Sequence, residues 1–271
     1  MKRRGFVAAA AGVPLGLIAL GSTSPAQAQV TDLNDAINKA GRLRMLSQRM
    51  AKSYYAMGQG VVAEQAQRVL AASMALFEWQ FSELKAFAAG LTNGANIQAT
   101  YAELDGAWRD YKTALSFAAP DKAKAAAVAL NAGKVLALAH QGTGQFEKEL
   151  NQPVGRLVNM SGRQRMLSQR MAAMYLSASW DVQAAISTSE LSKARDEFTA
   201  AHTVLKSAPQ ATTAIKAELE LAQMQFEFFE SALRGLAPGR AQAQQMTDVF
   251  TTSERILQVM DKVTGMYAKL T

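Results

Sequence analysis

Two arginines recur in one local setting. Gly41-Arg42-Leu43-Arg44-Met45-Leu46-Ser47-Gln48-Arg49-Met50-Ala51 returns as Gly162-Arg163-Gln164-Arg165-Met166-Leu167-Ser168-Gln169-Arg170-Met171-Ala172, ten of eleven positions identical at an offset of 121 residues. On a helical wheel at about 100° per residue, Ile37, Ala40, Gly41, Ser47, Gln48, Ala51 and Tyr55 all lie within about 60° of Arg44. Val158, Ser161, Gly162, Ser168, Gln169 and Ala172 surround Arg165 in the same way. A stripe of mostly small residues lets two helices approach closely, so this face reads as a seam. If the two box helices meet across a local two-fold, Arg44 and Arg165 face each other. A guanidinium stays charged at any ordinary pH, so something negative has to lie between them. A small planar oxyanion suits two planar forks, and the glycines let backbone approach the same place. The competing reading is a basic amphipathic helix whose charges are solvated or paired with Asp and Glu. No acidic residue stands near the arginines within the box itself.

The elements that must position these residues follow from the duplication. The same offset pairs Asn38 with Asn159, Tyr54 with Tyr175, Phe77 with Phe198 and Thr143 with Thr264, so residues 30–150 and 151–271 read as two copies of one unit. Each copy is rich in Ala, Leu, Gln, Glu, Lys and Met, and its breakers are confined to a few points. Gly58-Gln59-Gly60, the stretch from Gly90 to Gly94, and Ala119-Pro120-Asp121 divide the first copy into four segments of about 25 to 30 residues. In the second copy the breaks are blurred from Ser179 to Ser189 and plain at Pro209 and Leu236-Ala237-Pro238-Gly239. Short connections make sequential helices antiparallel neighbours. The expected fold is all-α: two tandem antiparallel four-helix bundles, joined at Asn151-Gln152-Pro153 and forming a pseudo-two-fold dimer in one chain. Leu43, Leu46, Met50 and Tyr54 are the expected core face of the first box helix, with Arg42, Arg49 and Asn38 on a polar face.

Composition excludes several chemistries. The 271 residues contain no cysteine and two histidines, His140 and His202, which leaves no thiol nucleophile, disulfide or Cys-ligated metal. Met1-Lys2-Arg3-Arg4, an apolar run from Phe6 to Leu20 and the small-x-small pattern at Ser24-Pro25-Ala26-Gln27-Ala28 read as an export signal over residues 1–28, with Arg3-Arg4 resembling a twin-arginine motif. Its removal takes three of the positive charges that make up the formal +7 and leaves 26 basic against 22 acidic residues. That argues against a nucleic-acid partner. The remaining chain has no apolar run of ~18 residues, so a soluble periplasmic protein is expected. The thirteen methionines, among them Met45, Met50, Met166, Met171 and Met174, read as core filler. Phe226, Phe228, Phe229, Trp79, Trp108 and Trp180 read as core and seam aromatics, and the two histidines as half-buried packing residues. The pairs Glu147/Glu149 and Glu218/Glu220 point to different sides of a helix and make poor acid–base partners. No phosphate loop, nucleophile elbow or metal cluster appears, so neither an enzyme nor a cofactor is expected.

The box from Ile37 to Met50 resembles the signature of the type IV pili methyl-accepting chemotaxis N-terminal domain (PilJ-type), and is similar to the P-box of nitrate/nitrite sensor histidine kinases. The resemblance implies a periplasmic four-helix bundle used as a dimer, with nitrate held between the two P-box helices by the arginine of a Gly-x-x-Arg-Met segment and by backbone at its glycine. By position it puts Gly41, Arg44, Gly162 and Arg165 at the anion, with Arg42, Ser47, Gln48, Arg163, Ser168 and Gln169 in support. The segment Leu46-Ser47-Gln48-Arg49 follows the PilJ-type pattern and departs from the kinases. Since no transmembrane, kinase or methyl-accepting region follows, the expectation is an exported anion-binding sensory protein that reports to a separate membrane receptor, sensor kinase or transporter. Two alternatives stand beside it. One is a ligand-independent adaptor whose basic first helices dock on an acidic partner or anionic membrane. The other is a different small molecule whose carboxylate the arginines hold.

Overall fold

The computed structural model describes residues 29–270 apart from 117, 118, 235 and 237, so the export signal read at residues 1–28 lies outside the described residues. Eight helices account for nearly all of it: α1 Leu33–Gly58, α2 Ala63–Ala89, α3 Ala95–Leu115, α4 Lys122–Leu150, α5 Pro153–Ser179, α6 Ala184–Ser207, α7 Thr213–Leu233 and α8 Ala243–Ala268. Local chemistry sets their starts. The Asp32 carboxylate accepts from the Asp35 amide to open α1, Asp121 does the same for Ala123 at the start of α4, and Pro153 occupies the first turn of α5, where its missing N–H costs nothing. The break that is blurred in the sequence is sharp in the fold: α5 ends at Ser179, and Asp181 and Gln183 take left-handed backbone before α6. Helices α3 and α7, at 21 residues each, are shorter than the expected 25 to 30.

Within each half the four helices form a ring, α1–α2–α3–α4 and α5–α6–α7–α8, and the two rings are joined by α1 against α5, the most extensive helix contact in the molecule. This is the expected pair of bundles related by a pseudo-two-fold. Leu43, Leu46, Met50 and Tyr54 are all buried in the first ring. A stacked aromatic pair recurs in the two cores, Phe77 on Trp108 at 4.3 Å and Phe198 on Phe226 at 4.2 Å. Trp79 and Phe228, expected inside, are exposed. Their helices bury a single stripe, which Phe77, Phe81 and Leu84 fill on α2 and Phe226 and Phe229 on α7. The central helices differ, because α1 and α5 each touch neighbours in both rings and so bury polar side chains as well as apolar ones. Among the described residues no helix is long and apolar enough to cross a membrane.

Candidate functional site

The α1–α5 seam brings the two repeated arginines together. Arg44 and Arg165 are the largest fully buried side chains of the protein, each with no exposed surface. A Cβ built on Gly41 would lie 3.0 Å from Nη2 of Arg44 and 3.5 Å from Nη2 of Arg165, and one built on Gly162 would meet the same atoms in the reverse order. The two guanidiniums therefore converge where the facing helices carry glycine. The Arg44 Nη2 donates to the carbonyl of Asn159 at 3.2 Å and the Arg165 Nη2 to that of Asn38 at 3.0 Å, so each arginine reaches across the seam. Asn38, expected on a polar face, is thus a seam residue, and its side-chain oxygen also accepts from Arg165 Nη1. The Nε groups of both arginines are buried without a hydrogen-bond partner. A buried donor of this kind is costly to leave unmade, the more so on a charged group.

The two halves of the site are not equivalent. On the Arg165 side, Asp261 from α8 accepts from Arg165 Nη1 and from Arg42 Nη2 at 2.8 Å. Burial raises its carboxyl, but Arg165 and Arg42 outweigh this and hold it below the usual range. The matching position on the other side is His140, whose Nδ1 lies 3.2 Å from Arg44 Nη1 and 3.4 Å from Arg163 Nη1. A guanidinium only donates, so Nδ1 accepts and the ring proton sits on Nε2. Burial, then Arg44 and Arg163, push the His140 pKa down, so the ring is neutral at neutral pH. Arg163 is also paired with Glu197. No carboxylate among the described residues lies within ion-pair distance of Arg44. Burial first, then Arg163 and Arg165, pull its pKa down to about 9; Arg165, buried equally but held by Asp261, stands at about 10.

The expected supporting residues divide. Arg42 and Arg163 join the site through Asp261 and His140. Ser47 and Ser168 do not, since each hydroxyl donates to the carbonyl of its own arginine at 2.7 and 2.9 Å. Gln48 and Gln169 turn instead to neighbouring helices, donating to the carbonyls of Ala132 on α4 and Ser253 on α8. The polar face of the box is ion-paired rather than solvated: Arg49 and the fully buried Lys52 both hold Glu254 of α8. These α1 charges are turned inward, while Arg156 of α5 is exposed. His140 and Asp261 were missed by the sequence reading. Their mismatch is visible in the sequence, in a register whose neighbours such as Thr143 and Thr264 agree, but it does not say that the position faces an arginine.

The close approach at Gly41 gives one direct expectation. A Gly41→Ala side chain would lie 3.0 Å from Arg44 Nη2, so the guanidinium must give way and the change should cost ~1–3 kcal/mol of stability. Urea unfolding of Gly41→Ala that matches the parent would contradict this geometry.

The family model described as type IV pili methyl-accepting chemotaxis transducer N-term (PilJ) matches residues 27–136 and again residues 149–249, together more than half of the chain. Comparison with the curated proteins and with the solved structures gives no match.

Proposed function

Since the chain belongs to the family of type IV pili methyl-accepting chemotaxis transducer N-terminal domains, in two tandem copies, we propose that it senses a small oxyanion, nitrate or nitrite, held between Arg44 of α1 and Arg165 of α5. The family is a sensory and signalling one, not a catalytic one. The observation that carries the ligand reading is the pair of fully buried arginines that converge on facing glycines, each with its Nε unsatisfied. A trigonal oxyanion offers three coplanar acceptors, enough for a paired contact with one fork and a single contact with the other. Gly41 and Gly162 leave it room against the backbone. The copies run over residues 30–150 and 151–271, so one chain supplies both halves of the site. In this reading residues 1–28 export the protein to the periplasm, where it reports to a membrane-bound receptor, sensor kinase or transporter.

Binding to the folded state alone stabilises it by about 2.7 kcal/mol at a hundredfold excess over Kd. For a protein of this size that is a rise in Tm of several degrees. Thermal melts in nitrate, nitrite, chloride, sulfate and phosphate at constant ionic strength are expected to single out nitrate or nitrite. Absence of a shift with every anion at millimolar concentration would discard the proposal.

A further inference from the structure

The pseudo-two-fold gives the molecule two lateral seams that should be equivalent, α1 against α8 and α5 against α4. They are filled very differently. In the α1–α8 seam, Phe250 is buried and Lys52 Nζ lies 4.2 Å from its ring centroid. The same ammonium donates to Glu254 at 2.6 Å and to Ser253 at 3.0 Å, and Glu254 also takes Arg49. The offset of 121 residues that relates the copies puts Ala129 where Phe250 stands, Gly133 where Glu254 stands and Ala173 where Lys52 stands. The ring, carboxylate and ammonium at these three positions thus have no counterpart in the α4–α5 seam, where Arg170, the match of Arg49, takes Glu190 of α6 instead.

Two adjoining cavities of about 300 and 260 Å³ occupy that seam and share Gly133, Leu136 and Arg170 as walls. The first is mainly apolar, lined by Ala51, Ala129, Ala132, Ala173, Met174 and Ile186. The second is cationic, with Arg44, Arg163 and Arg170 around it beside the neutral His140. Arg170 holds Glu190 and Arg163 holds Glu197, but Arg44 at the inner end has no carboxylate within ion-pair distance among the described residues, and its Nε is unpartnered. A hollow with one apolar end and one cationic end is shaped for an amphipathic anion.

We propose that the α4–α5 seam is a second binding site, for an organic monocarboxylate with an apolar body about the size of a phenyl ring. Its carboxylate sits among Arg44, Arg163 and Arg170, where the other seam has Glu254 and Asp261. Its body fills the space that Phe250 fills there. This goes beyond the oxyanion site, which it adjoins through Arg44.

The full chain is titrated with 3-phenylpropanoate, and with acetate and 3-phenylpropanol as controls that lack the body or the charge, following both Tm and calorimetric heat. Only 3-phenylpropanoate is expected to bind. Gly133→Glu restores the absent carboxylate at a position where an added Cβ meets nothing within 4 Å. It should raise the Tm of the free protein and weaken 3-phenylpropanoate roughly tenfold or more, while the nitrate response stays. Arg170→Gln should lose the same ligand without the gain in Tm, and tests the site if the first variant does not fold. Loss of 3-phenylpropanoate binding with nitrate binding intact in both variants supports two sites. No 3-phenylpropanoate response in the parent, or one that neither variant weakens, overturns the inference whether or not nitrate binds. A carboxylate response without a nitrate response removes the oxyanion reading alone.

Discussion

Arg44→Met is expected to raise the Tm of the anion-free protein, and Arg165→Met to lower it, although the two arginines occupy equivalent positions in the repeat. Both are buried to the same degree, so desolvation does not separate them; their partners do. Arg165 donates to Asp261, to the Asn38 side chain and to the Asn38 carbonyl. Its removal leaves those acceptors short, at a cost of about 2 kcal/mol, moderated because Asp261 keeps Arg42 and is partly exposed. Arg44 donates to one carbonyl and to a neutral histidine, and faces Arg163 and Arg165 across low-dielectric surroundings. Replacing such a charge by an apolar side chain of similar length removes desolvation and repulsion together. A net gain of about 1 kcal/mol, some 2–4 °C, is expected after the lost hydrogen bonds are set against it. Both variants should lose the nitrate-induced shift. Melting curves that fall equally for the two would show that Arg44 is compensated as fully as Arg165, and the asymmetry of the site would have to be abandoned.

Glu254→Gln should be strongly destabilising. Lys52 has no exposed surface, and among the described residues Glu254 is its only carboxylate contact, at 2.6 Å. Burial already pulls its pKa down, to about 8, in spite of the raising effect of Glu254, so the ammonium is charged at pH 7 only with that help. Breaking a buried pair by removing one member costs about 3–5 kcal/mol. Adding Lys52→Met to the Glu254→Gln background should recover most of it, as the sulfur side chain can lie on Phe250 without needing a counter-charge. The pH dependence carries the same signature. Burial raises the Glu254 carboxyl, but Lys52 and Arg49 outweigh it and hold the pKa at about 2, against an ordinary value of 4.5. A depressed carboxylate pKa contributes stability that is complete above the unfolded value and is lost as pH falls toward the folded one. Urea unfolding between pH 5 and pH 2 (roughly the interval that separates those values) should show a loss of ~3 kcal/mol from this group, absent in Glu254→Gln. An acid limb of equal steepness in both proteins would remove Glu254 as its source.

Much of the site was legible because it is made of local pattern. Arg44 and Arg165 stand alone in stripes of small residues, and a stripe of that kind has one physical use, the close approach of another helix. The glycines follow from the same argument. Asp261, Glu254 and His140 were not legible, because they come from α4 and α8, 96 to 219 residues from the Arg42, Arg44, Arg49, Lys52 and Arg165 that they meet, and helical spacing says which residues share a face but not which face opposes it. Ser47, Gln48, Ser168 and Gln169 take partners away from the arginine forks for the complementary reason. They do lie on the arginine stripe, yet a short hydroxyl finds its own helix carbonyl first, and the glutamines are long enough to reach α4 and α8.

By itself the sequence determined that the protein is helical, that it is a duplication, and where six of the seven breaks between the described helices fall, since these depend on propensity, caps and breakers acting within a few residues. It also raised a helix seam with two buried arginines as one of two readings, the other being a solvated or ion-paired basic face. Only the tertiary structure decided how these charges are met. It placed Asp261 and Glu254 on one side of the pseudo-two-fold and His140 and Gly133 on the other, so the same arginine is neutralised in one copy and left in want of an anion in the other. Charge compensation across packed helices is set by which side chains share a small low-dielectric volume, and that is a property of packing rather than of spacing along the chain.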